Sequence, residues 1–275
     1  MTMNRRHWML GCAAAIAAGG LHAQTFDHSH ALWDRQLRQH VVVLRDGQAS
    51  AVRYTEWLTQ REALQAYLRQ LSAVSRASFD GFSRPQQMAF LINAYNAFTV
   101  ELIFMRYPRL QSIKDLGNLL SSPWRPRWIP LLEDKVSLDD IEHQMLRARG
   151  VYDDPRIHFA VNCASIGCPM LREEAYVAER LDAQLAQQTR RFLADRERNR
   201  WNPASGRLEL SQIFDWYAED FRLGHQGIDS VQGLAARHAD VLADSEADRA
   251  RLRSTRVPIS HLPYDWRLND AKGMP

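Results

Sequence analysis

Apolar and polar positions alternate at helical spacing over residues 28–40 and again over 54–71, where Trp57, Leu58, Leu64, Leu68 and Leu71 fall near a 3.6-residue period. Both segments are predicted helices. The most hydrophobic stretch comes next, QQMAFLINAYNAFTVELIFMRY at 86–107. Ser83 followed by Gln86 makes a capping-box signature, Pro85 sits in the first turn where it is tolerated, and Tyr107-Pro108 supplies the stop. This helix is apolar nearly all round, the pattern of an element buried at the centre of a domain. Asn93, Asn96 and Glu101 argue against its spanning a membrane.

Residues 123–136 are rich in proline and tryptophan and end in the extended WIPLLEDKVS. A further helix is predicted over 137–149, with Ser137 as N-cap, Asp139 and Asp140 in the first turn, Arg147 and Arg149 near the end, and Gly150 beyond it. A strand is predicted over 156–162, a helix over 174–196, a short strand over 207–211, a helix opening at Ser211, and a charged, exposed helix over 243–253. The tail SHLPYDWRLND carries aromatic anchors suited to packing back on the body. Residues 24–275 show no repeat, low-complexity segment or flexible linker. The expected fold is α+β: a helix-rich single domain with a buried central helix and a small β-sheet.

Composition adds the setting. At 45% hydrophobic and 24% charged, the 275-residue chain reads as globular. Residues 1–23 have the pattern of a signal peptide: Arg5-Arg6, an apolar run from Trp8 to Ala18 too short to remain as a span, and Ala23 at the expected cleavage point. NRRHWML also resembles the twin-arginine export pattern. An exported protein, periplasmic or secreted, is expected, and the cysteines after residue 23 then lie where a disulfide is permitted. Without residues 1–23 the chain is within one charge of neutral, which leaves no electrostatic footprint for nucleic acid or an anionic membrane.

The candidate chemistry centres on RIHFAVNCASIGCP, which holds Cys163 and Cys168. On a strand, His158, Ala160 and Asn162 share one face. At about 3.3 Å per residue, His158 and Cys163 are then roughly 16 Å apart, which disfavours them as a dyad. On the 137–149 helix, Leu138, Ile141 and Met145 define an apolar stripe. Glu142 falls at its edge, about 40° from Leu138, whereas His143 is about 140° away. A carboxylate that faces the core needs a partner, and Arg147 or Arg156 is the plain choice. Asn93 and Asn96, on a helix with hardly any polar face, either fix neighbouring backbone or line a polar pocket. Cys163 and Cys168 are open to three readings: a reactive thiol, packing or a short-loop disulfide, and a metal site, the last disfavoured because no second cysteine pair exists.

Five blocks, AFLINAYNAFTV, SLDDIEHQMLR, DPRIHFAVNCASIGCPML, FDWYAEDF and YDWRLND, resemble the domain-of-unknown-function-547 family, over about residues 50–270. Such domains occur in bacteria, often exported, and attached to other modules in plants and nematodes. The resemblance implies importance for Asn93, Tyr95, Asn96, Glu142, His143, His158, Cys163, Tyr264, Asp265 and Trp266. It also implies that a disulfide is not the general purpose of Cys163, since some intracellular relatives keep this cysteine without the one matching Cys168. It names no reaction.

The sequence expectation is therefore a polar pocket built from Cys163, His143, Glu142, His158 and Asn96. Cys163 is the nucleophile of a thiol-dependent hydrolase or acyl/amide transferase and His143 its base. Glu142 or Asn96 orients the imidazole, and a backbone N–H near Ala164 or Ser165 receives an oxyanion. Asn93, Tyr95, Asn162, Tyr264, Asp265 and Trp266 are the expected binding residues. The ligand is a peptide or small molecule, with no cofactor and no metal. The alternative is a non-catalytic binding or scaffold domain with a Cys163–Cys168 disulfide.

Overall fold

A computed structural model describes residues 26–117, 122–254 and 256–272. The export segment expected at 1–23 lies outside the described residues. The chain opens with α1 (Ala31–His40), the hairpin β1 (Val41–Leu44) and β2 (Ala49–Val52), then α2 (Tyr54–Thr59), α3 (Arg61–Ser72) and α4 (Arg76–Asp80). The expected helix over 54–71 is thus two, broken at Gln60.

The long helix α5 (Arg84–Phe104) comes next, and every residue from Met88 to Phe104 is buried. Its start is the capping box read in the sequence: Ser83 Oγ accepts from Gln86 N–H while the Gln86 side chain accepts from Ser83 N–H at 2.9 Å. Glu101, near its end, is held by Arg61. Among the described residues, no helix is long and apolar enough to cross a membrane.

A hairpin of β3 (Ile129–Leu131) and β4 (Asp134–Val136) leads to Ser137. Ser137 caps as expected, with reciprocal bonds to Asp140 at 2.9 and 3.0 Å. The helix that this cap opens is a π-helix, Asp140–Leu146, closed by Arg147 N–H on the Glu142 carbonyl five residues back. Its wider turn advances each residue by less than 100°, so His143 comes round nearer to Glu142 than an α-helical wheel places it.

The strand expected over 156–162 does not form. Residues Pro155–Phe159 are a 3₁₀-helix whose cap is Asp154, accepting from Arg156 N–H at 3.0 Å. Proline at the first position suits such a start. The strand-like alternation has another cause: Ile157 and Val161 enter one core, while Phe159 enters a second.

Helix α6 (Leu181–Ala194) starts later than the predicted 174. After it come β5 (Arg200–Asn202), β6 (Arg207–Ser211), α7 (Ile213–Trp216), α8 (Val231–Arg237), α9 (Ala239–Leu242), α10 (Glu246–Ser254) and β7 (Ile259–Leu262). Strand β6 pairs antiparallel with β5 and parallel with β7. Among the described residues the β content is therefore three small sheets in a helix-rich α+β fold. One core surrounds α5. The other gathers Phe159, Phe192, Phe214, Phe221 and the α8–α10 side chains, and α6 serves both, through Leu181 and Leu185 on one side and Phe192 and Leu193 on the other.

Candidate functional site

Asparagines set the backbone of the cysteine loop. Asn96, on α5, donates from Nδ2 to the Ala160 carbonyl at 3.0 Å and accepts from Asn162 N–H at 2.8 Å. Asn162 accepts from Ala164 N–H at 2.9 Å and donates to the Pro169 carbonyl at 2.7 Å. Asn93 makes the same two-way clamp on Tyr176. Both α5 amides spend their polar atoms on buried backbone, so each serves as a clamp on neighbouring chain rather than as the imidazole partner or binding group expected. The expected Ala164 oxyanion donor is likewise taken, by Asn162.

The chain's tail closes the loop from the other side. Ile166 N–H donates to the Arg267 carbonyl, Gly167 N–H to the Asp265 carbonyl, and Asn269 N–H to the Ala164 carbonyl. A Cβ on Gly167 would lie 2.8 Å from Asp265 N and 3.0 Å from the Tyr264 ring. Only glycine permits this approach. The Asp265 carboxylate itself holds Arg267.

Cys163 then sits half-buried in a cleft of about 340 Å³ together with Glu142, His143, His158, Tyr95, Tyr264 and Trp266. Both cysteines are free thiols, and Cys163 N–H donates to Cys168 Sγ at 3.0 Å. Cys163 Sγ lies 3.1 Å from Ser165 Oγ and 3.2 Å from Tyr264 Oη, and those two oxygens are 3.1 Å apart. The hydrogen bond from Cys168, then those from Ser165 and Tyr264, stabilise the thiolate against the cost of burial and pull Cys163 down to about 7. Burial drives Cys168 and Tyr264 the other way, so both stay protonated and able to donate.

His158 is the second chemical group of the cleft. Its Nε2 lies 2.7 Å from Asp220 Oδ2, and its ring stacks on Tyr217 with centroids 3.9 Å apart. Burial lowers its pKa despite the neighbouring carboxylate. Burial also pushes Asp220 up, but hydrogen bonds from His158 and Arg147 prevail and hold it well below the usual carboxylate range. A neutral imidazole that donates from Nε2 to this carboxylate leaves a lone pair on Nδ1, which is buried and has no hydrogen-bond partner. His143 is differently placed. Its Nδ1 accepts from Arg147 at 2.6 Å and its Nε2 faces Asp139 at 3.9 Å. Its base lone pair is therefore occupied.

Residues 79–193 match the family described as protein of unknown function, DUF547. This segment belongs to the DUF547 family. No curated protein and no solved structure matches the chain. The DUF547 segment supplies Tyr95, Glu142, His143, His158, Cys163 and Cys168. Tyr217, Asp220, Tyr264 and Trp266 complete the cleft from beyond it.

The structure thus brings Cys163, His158, Glu142, His143, Tyr95, Tyr264 and Trp266 together, and leaves Asn93, Asn96, Asn162 and Asp265 as supports of the loop and tail. Glu142 is buried, in keeping with its helical phase, but Arg147 pairs with Asp220 and Arg156 with Asp154 and Asp182. Sequence reasoning missed Asp220, Tyr217 and the Ser165 hydroxyl. The first two stand in FDWYAEDF, one of the five blocks that carry the family resemblance, so an acid and an aromatic three residues apart were available as a signal.

Proposed function

We propose that the protein is a thiol-dependent hydrolase or acyl transferase in which Cys163 is the nucleophile and His158, held by Asp220, the acid–base group. The observation that carries this reading is one cleft lined both by a thiol lowered to about 7 by three hydrogen bonds and by a buried imidazole with one nitrogen on a carboxylate and the other without a partner. In the reaction the Cys163 thiolate attacks a substrate carbonyl and forms a thioester. His158, protonated at Nδ1 by the Cys163 thiol as the thiolate forms, gives that proton to the departing amine or alkoxide. A water or acceptor nucleophile then loses a proton to His158 as it attacks the thioester. This releases the acyl product and restores the thiolate. His158 is preferred to His143 as the base, since the 3₁₀ turn removes the extended geometry that argued against it and Arg147 occupies Nδ1 of His143.

Exposure of the reduced protein to p-nitrophenyl acetate tests this reading. Intact mass should show one acetyl adduct, absent from Cys163→Ala. His158→Asn should slow turnover by about 10²–10⁴, the range for general acid–base catalysis. No adduct, or a quantitative Cys163–Cys168 disulfide in protein isolated without reductant, sinks the nucleophile and favours a scaffold. The Arg5-Arg6 and Trp8–Ala18 pattern supports a further part of the proposal, that the enzyme is exported.

A further inference from the structure

The cleft beside Cys163 is lined by two carboxyl groups, Asp139 and Glu142, and two imidazoles, His143 and His158, with no arginine or lysine among its lining residues. Glu142 is only 6% exposed and its hydrogen-bond partner is the Tyr217 hydroxyl. Among the described residues no arginine, lysine or histidine pairs with it, since Arg147 is committed to Asp220. Asp139, the other lining carboxyl, meets the exposed Arg125 at 3.6 Å and His143 at 3.9 Å. A buried carboxylate without a cation is costly to keep, and a bound ligand can supply the missing charge.

The remaining lining is aromatic. Trp216 stacks on Trp266 with centroids 5.7 Å apart, Trp124 meets Trp266 edge-on at 6.0 Å, and Trp216 is 45% exposed. Ring faces attract cations, and tryptophan does so most strongly. Trp266 already carries one, with Lys114 Nζ 3.7 Å from its ring centroid. Indole walls with a buried carboxylate among them that feels Arg147 only at a distance, without an ion pair, match the chemistry of organic cations rather than that of anions or sugars.

We infer that the substrate turned over at Cys163 carries an alkylammonium or guanidinium group, seated against Trp216 and Trp266 with Glu142 as counter-ion. This rests on the nucleophile reading above and adds the substrate class. An anionic substrate would meet both Glu142 and the thiolate, and a neutral one would leave Glu142 unpaired.

Charge-selective alkylation of the full reduced chain tests the inference. Cys163 is labelled with neutral iodoacetamide, anionic iodoacetate and cationic 2-bromoethylamine, each rate being normalised to the same reagent on a small neutral thiol. The iodoacetamide rate divides out any change in thiolate fraction. The cationic reagent should outrun the anionic one by roughly tenfold or more, as one weakly screened charge a few ångströms away implies. Glu142→Gln should cut that ratio severalfold. As a test that needs no variant, butylammonium chloride should slow iodoacetamide labelling of the wild type more than sodium chloride or butanol at equal concentration. A ratio near one, or no selective protection by butylammonium, overturns the cation site and leaves the nucleophile standing on its iodoacetamide rate. Absence of labelling by iodoacetamide itself removes the nucleophile and this inference with it.

Discussion

Cys168→Ala is the sharpest probe of how the thiolate is made. The bond from Cys168 is the largest influence lowering Cys163 to about 7. A hydrogen bond to a charged group contributes about 1.5–3 kcal/mol, equivalent to roughly 1–2 pH units. Its loss should move the midpoint of Cys163 alkylation from about 7 to roughly 8–9. At pH 6 the thiolate fraction then falls about 10–100-fold, from roughly a tenth of the protein. A more basic thiolate is a better nucleophile, with a Brønsted coefficient of about 0.4–0.5, which returns roughly 3–8-fold. The variant should therefore react about 3–10-fold more slowly than wild type at pH 6 and several-fold faster above pH 9. The two pH profiles cross. The assay is iodoacetamide labelling of reduced protein, with adducts assigned by peptide mass and Cys163→Ala as the blank. Cys168→Ser keeps a donor and should follow the wild-type curve. Parallel profiles for wild type and Cys168→Ala, or a wild-type midpoint near the ordinary 8.5, would refute the reasoning.

Asp220→Asn replaces the acceptor that fixes His158 Nε2–H. Turnover of an activated ester should fall by about 10²–10⁴ while the iodoacetamide midpoint stays within a unit, and a shift confined to KM would contradict the role given to Asp220. Gly167→Ala puts a methyl 2.8 Å from Asp265 N, so the tail must shift. Thermal melting should show a loss of about 1–3 kcal/mol, and the Cys163 midpoint should rise as Tyr264 moves off; an unchanged midpoint would mean that the tail does not set the thiol. Asn96→Ala strands the Ala160 carbonyl and the Asn162 N–H, a cost of about 1–3 kcal/mol for each buried group, measurable by urea unfolding, where a change below about 1 kcal/mol would count against the clamp. His30, buried against the Tyr67 hydroxyl, is pushed down by burial to about 3. Between about pH 6.5 and 3 the unfolded chain holds a proton there that the fold does not. Stability from this residue is therefore full above 6.5 and falls by about 1.4 kcal/mol per unit as pH drops through that window. Denaturant titrations of His30→Gln across the window should show a shallower acid loss, and an equal slope would remove His30 as the cause.

The parts of this protein legible in its sequence are those governed by local rules. The Ser83–Gln86 box, the Ser137 cap, the apolar length of α5 and the burial of Glu142 follow from capping chemistry and periodicity, and each stands where those rules place it. The errors share one origin, a tertiary demand that local pattern does not encode. Ile157 and Phe159 alternate like a strand because they serve two different cores across a tight turn. An α-helical wheel misphases His143, because the chain widens to a π turn there. Asn96 has two roles open to it in the sequence, and the choice depends on where the backbone of residues 160–162 passes. Asp220 stands in a block of the family resemblance, but its role depends on a partner 62 residues away, and Ser165 meets Tyr264 across 99 residues as well as Cys163 across two.

The contacts of Gly167 and Ile166 with residues 265 and 267 also fix a sequence of events. As the chain leaves the ribosome, residues 155–169 emerge about a hundred positions ahead of the tail that clasps them. Until that tail docks, Cys163 lacks the Tyr264 hydroxyl, and its sulfur titrates closer to an ordinary thiol. A newly made chain therefore keeps Cys163 nearer its ordinary acidity, and the thiol is lowered fully only when a segment made 101 residues after it docks.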